Sequence, residues 1–209
     1  MPPDINISEF CIGITKYIRN IYASSNGIDL DSLRKDPTLR MTASSVIYSS
    51  YHHQVWMIGD CQCMVNGKIY LNPKPEEKIV AAKRADIIYR ALQNGATLDD
   101  IRKNDIGRKA ILPLLKSGCL QQNISYSVID GFDIPMNYVK IIDIDKQDSE
   151  IILASDGYPK LMSSLKESED KLKKLLTEDP LCIKENVATK GLANGQTSFD
   201  DRSYIRFKI

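Results

Sequence analysis

The chain has 209 residues, 43% hydrophobic and 26% charged, with no long apolar run. That excludes a disordered chain, a collagen and a membrane span, and it suits one large domain over residues 1–209 or two small ones. With 28 Lys+Arg against 27 Asp+Glu the net charge is +1, so there is no broad basic field for a nucleic-acid backbone and no polybasic tail for anionic lipid.

Nucleic acid and membrane are therefore not expected as partners. Five cysteines make an odd, sparse set, unlike a secreted disulfide framework. Cys61-Gln62-Cys63 is the close pair, and without further Cys or His nearby in sequence it is not a zinc pattern. Met1-Pro2-Pro3-Asp4 opens no basic and apolar leader. Reduced thiols in the cytoplasm are the expectation.

Residues 5–22 place Phe10, Ile14, Tyr17, Ile18 and Ile21 three and four apart, one stripe of an amphipathic helix. Ser24-Ser25-Asn26-Gly27 supplies the turn that ends it. The period then changes. Residues 42–50, 54–60 and 61–65 are short runs rich in Val, Ile, Tyr and Trp. Asn66-Gly67 is a hairpin-turn dipeptide between strands 61–65 and 68–71. His52-His53 sits on such a strand, where its rings point to opposite faces and suit packing or solvent better than one metal. Asn72-Pro73-Lys74-Pro75 breaks the sheet.

Residues 76–93 read as a helix with Ile79, Ala82, Ile87 and Ala91 on its apolar side and Asn94-Gly95 as its stop. Thr97 is placed to cap a helix start. Pro113 limits or kinks the helix through 106–116. Strands return at 124–129, 138–144 and 150–154, with turns at Asp130-Gly131 and Gln147-Asp148. Helices at 159–165 and 167–178, a loop over 189–196 and an alternating strand over 202–209 complete the chain. The order predicts an α+β fold: two antiparallel sheets with helices on their outer faces.

Three acidic motifs end or adjoin predicted strands. In Val55-Trp56-Met57-Ile58-Gly59-Asp60 an apolar strand ends in Gly-Asp, which is also a plain turn. In Ile151-Ile152-Leu153-Ala154-Ser155-Asp156-Gly157 a strand buried on both faces ends in Asp-Gly. A carboxylate there is rigidly held, and the glycine lets a ligand approach the backbone; Ser155 or Asp156 could equally cap a helix. Ser198-Phe199-Asp200-Asp201-Arg202-Ser203 sets two carboxylates side by side, which favours a nearby cation, or else forms a solvated loop with Arg202 as counter-ion.

Taken together, the three motifs resemble, in type, order and spacing, those of the type 2C metal-dependent Ser/Thr protein phosphatases (the PPM family). Thr42-Ala43-Ser44-Ser45-Val46 is similar to that family's Gly-Thr-Thr-Ala strand. The resemblance runs from about Thr42 to Ile209. It implies a two-sheet αββα sandwich and hydrolysis of phosphoserine or phosphothreonine by Mg or Mn, whose bound water attacks the phosphorus. It implies Asp156 and Asp200 as metal ligands and Asp60 as the ligand of a further metal. Gly157 and Asp201 would support them.

The family's N-terminal phosphate-gripping Arg and the Asp-Gly-His-Gly-like motif with its metal-bridging aspartate have no counterpart in the sequence. The expectation is a domain truncated at its N-terminus relative to the family, with half of a binuclear site and weak or no phosphatase activity. Its partner is then a phosphoprotein substrate. The alternative is a non-catalytic binding or regulatory module on the same sandwich, with a protein partner.

Overall fold

In the computed structural model, which describes residues 2–25, 29–145 and 148–209, the first helix begins where Asn6 can cap it. The Asn6 side chain accepts from the Glu9 amide and the Glu9 carboxylate accepts from the Asn6 amide, both at 3.0 Å, a reciprocal box that satisfies two otherwise orphaned donors. Helix α1 then runs Ile7–Ser24, and the short helix α2 spans Leu30–Lys35. The turns expected at 24–27 and at Gln147-Asp148 include residues outside those described.

The chain divides into two compact units: residues 1–74, 118–155 and 204–209, and residues 75–117 and 156–203. Among the described residues the first unit holds every strand. β1 (Ser45–Ser49), β2 (Gln54–Ile58) and β5 (Lys140–Asp143) form one sheet in the order β1-β2-β5. β3 (Gln62–Val65), β4 (Lys68–Leu71), β6 (Glu150–Ala154) and β7 (Tyr204–Lys208) form the other, in the order β4-β3-β6-β7. Every pairing between these strands is antiparallel, as expected.

Alternation decides which side chains meet. Val55 and Met57 of β2, Cys63 and Val65 of β3, Ile142 and Ile151 join one core cluster drawn from both sheets. The intervening Trp56 and Ile58 face the other way, into a cluster with Ile7 and Cys11 of α1. Burying each large apolar side chain contributes roughly 1.5–3 kcal/mol, so these two clusters are what hold α1 and the sheets together.

Several expectations need correction. The buried row of α1 is Ile7, Cys11, Thr15 and Tyr22, flanked by Phe10, Ile14 and Ile18. Tyr17 and Ile21 are exposed, because the helix meets the sheet along its i, i+4 row and they fall beside it. Residues 124–129 form no strand: 124 and 125 are turn, and the stretch makes only the isolated bridges Gln122–Tyr126 and Ala43–Ile129. There the Asn123 side-chain Oδ1 accepts from the Val128 amide and the Gln121 carbonyl from the Ile124 and Ser125 amides, which takes up donors a ladder would use. His52 and His53 lie in the β1–β2 turn, where His53 has φ 51° and the His52 ring bonds the Asp4 and Ile5 carbonyls.

The second unit is helical. α3 (Glu77–Gln93), α4 (Leu98–Lys103) and α6 (Leu165–Glu178) lie in it, with most of α5 (Ile106–Cys119), which continues through Pro113. Thr97 caps α4 as expected, and Asp100 completes a capping box with it. The inward row of α3 is Val80, Ala81, Arg84 and Ile88, while Ile79 is 71% exposed. Residues 159–164 are irregular. There the Ser168 hydroxyl accepts from the Met162 amide, and Ser164 caps α6 through the Glu167 amide. Leu172 and Leu175 of α6 pack with Cys182 and Phe199, and Ile88 with Ile101 and Leu181.

Candidate functional site

Asp60 belongs to the first unit and lies just past β2. Ser44 donates to Asp60 Oδ1 at 2.5 Å and accepts from the Asp60 amide at 3.3 Å. Lys74 Nζ lies 2.6 Å from Asp60 Oδ2, and the carboxylate is 11% exposed. Burial pushes the Asp60 carboxyl up, but the Lys74 charge and the hydrogen bonds of Lys74 and Ser44 outweigh it and set the group below its ordinary range. Asn72 holds this end of the sheet by donating to the Gly59 and Tyr138 carbonyls.

Asp156, Gly157, Asp200 and Asp201 belong to the second unit. Asp156 follows closely on β6 and Asp200 closely precedes β7. Gly157 brings the two motifs into contact. A Cβ built on it would lie 2.0 Å from the Asp201 carbonyl oxygen and 2.9 Å from Arg202 Cβ, so glycine alone admits this close approach. Asp156 is exposed. Asp200 is ion-paired with Lys190, is 40% exposed, and its Oδ1 accepts from the Asp201 amide at 3.1 Å. Arg108 lies within electrostatic reach of Asp200.

Three partners escaped the sequence reading. Lys74 and Lys190 stand in loops that composition marks only as breaks. Glu169 of α6 is the third. Arg202 donates to it twice, at 2.7 and 2.9 Å, and the Tyr158 hydroxyl donates at 2.7 Å. These bonds hold the Glu169 carboxyl at about 2. They tie the Asp200–Arg202 segment and Tyr158 to α6. The signal in the sequence is Arg202 itself, which follows the two carboxylates and reaches Glu169.

Mg and Mn demand several hard oxygen ligands in near-octahedral geometry. Within each unit, among the described residues, no three His, Cys, Asp or Glu side chains are grouped to hold an ion. Around Asp60 the donors are one carboxylate and one hydroxyl, with an ammonium already on the carboxylate. Within either unit the donors among the described residues do not fit a two-metal centre.

No family model matches the chain, and no curated protein matches it. Solved phosphatase structures are among those distantly similar to it. One is the S. agalactiae serine/threonine phosphatase, with 15% identity over 80% of this chain and 62% of that one and a TM-score of 0.32. Another is the catalytic domain of the serine/threonine protein phosphatase PstP in complex with two manganese ions, with 11% identity over 77% of this chain and 66% of that one and a TM-score of 0.26. The chain thus spans under two thirds of the length of the first structure. Likeness at this level is remote, and the functional reading rests on the chain's own residues. No helix among the described residues is long and apolar enough to cross a membrane.

Proposed function

We propose that this chain is a phosphatase 2C-like domain that acts as a binding or regulatory module for a protein partner, with weak or no metal-dependent hydrolysis of phosphoserine or phosphothreonine. What carries the reading is the donor inventory. The sequence has the three strand-end aspartates of the family pattern, Asp60, Asp156 and Asp200, on an α+β fold of two antiparallel sheets. It has no Asp-Gly-His-Gly-like motif, and within each unit no three potential ligands gather among the described residues. The resemblance assigns the metal-bridging carboxylate to that motif, and no residue of this chain matches it. A cytoplasmic setting goes with the reading, since all five cysteines are free.

The second reading is an active enzyme using Mg or Mn, with Asp156 and Asp200 as ligands, Asp60 as a peripheral one, and Gly157 and Asp201 in support. It is favoured by the close approach of Gly157 to the Asp201 carbonyl. Turnover of p-nitrophenyl phosphate and of a phosphothreonine peptide, measured on the 209-residue chain with and without millimolar Mn2+ or Mg2+, separates the two. The expected result is no turnover above that of Asp156→Asn. Metal-dependent turnover lost in Asp156→Asn establishes the enzyme and overturns the module.

A further inference from the structure

We infer that Lys74 and Lys190 are built-in counter-ions that take, for Asp60 and Asp200 respectively, the charge-neutralising place a divalent cation would otherwise occupy. The inference deepens the non-hydrolytic reading and relies on it only for which carboxylates to consider.

Each carboxylate is already committed on both oxygens. Asp60 Oδ2 is 2.6 Å from Lys74 Nζ and its Oδ1 takes the Ser44 hydroxyl hydrogen at 2.5 Å. Asp200 Oδ2 is paired with Lys190 and its Oδ1 takes the Asp201 amide hydrogen. A divalent ion approaching either one must displace a hydrogen-bond donor, or else place two positive charges beside a retained ammonium. Both alternatives are unfavourable at contact distances.

Both lysines are also delivered by anchored backbone. Lys74 stands between Pro73 and Pro75, whose rings fix the backbone on either side of it. The same loop is tied down by Asn72, whose side chain donates to the carbonyl of Gly59, the residue before Asp60. Lys190 sits between two fixed neighbours. Arg108 donates to the Thr189 carbonyl at 2.9 Å, and Gly191 packs so closely on Leu181 that a Cβ would lie 2.7 Å from its carbonyl oxygen. The Leu192 amide then donates to the Pro180 carbonyl at 2.7 Å. A surface lysine that pairs by chance has no such mounting. Here two separate loops each hold an ammonium against a strand-end aspartate, so the acidic motifs keep their place without a metal.

The test is Mn2+ binding by the 209-residue chain, followed as loss of the free-ion electron paramagnetic resonance signal. Wild type is expected to leave that signal unchanged at millimolar Mn2+. Lys190→Met and Lys74→Met are each expected to bind Mn2+ roughly tenfold tighter, the change that follows from removing one adjacent unit charge. Adding Asp200→Asn or Asp60→Asn should abolish the respective gain. Stoichiometric Mn2+ binding by wild type that Asp200→Asn or Asp60→Asn removes overturns the inference, and this arm needs no lysine variant to fold. Lysine variants that fold and bind no better than wild type also overturn it. Mn2+ bound through Asp200 with no phosphatase turnover defeats this inference and spares the proposed function; turnover without Mn2+ on either aspartate does the reverse.

Discussion

Glu169 shows how one side chain can hold a motif it does not belong to. Its carboxylate accepts two hydrogen bonds from Arg202 and one from Tyr158, and all three favour the charged form, which puts its pKa at about 2 against an ordinary 4.5. A depressed pKa in the folded state means stability that is present above the unfolded value and lost as the pH falls through the folded one. Glu169→Gln keeps the shape and removes the charge. At neutral pH it should cost about 1 kcal/mol, the scale of a partly exposed ion pair. The deficit relative to wild type should shrink as the pH falls from 4.5 toward 2. Urea unfolding at neutral and at acid pH measures this, and an equal deficit at both would show that the charge is not what matters. The aspartates near this network were legible as strand-end words. Their lysine and glutamate partners were not, because a pair formed between a loop and a distant motif leaves no periodic trace.

At the scale of elements, the legible parts were those whose local chemistry and tertiary role agree. Asn66 and Gly67 take φ of 48° and 79°, the mirror-image turn that two-residue hairpins favour, and β3 and β4 pair across it as read. Residues 124–129 look equally strand-like, but the Asn123 side chain takes the Val128 amide and the Gln121 carbonyl takes those of Ile124 and Ser125, a competition that residue type alone does not display. Two glycines separate local from tertiary cause. A Cβ on Gly67 meets nothing within 4 Å, so Gly67→Ala should cost only the positive-φ penalty of about 1 kcal/mol. A Cβ on Gly157 runs into the Asp201 carbonyl, so Gly157→Ala must push the backbone itself and should cost about 3 kcal/mol. Chemical unfolding of both variants checks the order. A Gly157→Ala protein as stable as Gly67→Ala would mean that the Asp156 and Asp200 motifs are not held in contact.

At the scale of the whole molecule, each unit is assembled from stretches far apart in the chain, and in each a buried arginine joins them. In the first unit Arg40 pairs with the fully buried Asp130 at 2.9 Å, donates to the Leu33 carbonyl and stacks on Phe132 at 3.8 Å. In the second, Arg84 of α3 donates twice to Asp105, at 3.0 and 2.7 Å, and to the carbonyls of Leu181 and Ala188 at 2.9 and 3.0 Å. Asp105 in turn accepts from the Arg108 amide at the start of α5. A planar guanidinium with five donors can satisfy a carboxylate and two carbonyls at once, which an ammonium on a flexible stem does poorly. None of this is visible in the sequence, where a charged residue on a mixed helix reads as solvent-facing and the apolar spacing places Ile79 inward instead. Arg84→Met should therefore cost about 3–5 kcal/mol, because it leaves Asp105 and the loop carbonyls without their donor. Hydrogen exchange should quicken in residues 181–192, the stretch that Arg84 fastens to α3. Arg84→Lys should restore little of the loss, since the charge returns without the fork. Unchanged exchange in that loop, or full recovery by lysine, would show that the second unit closes through its apolar clusters alone.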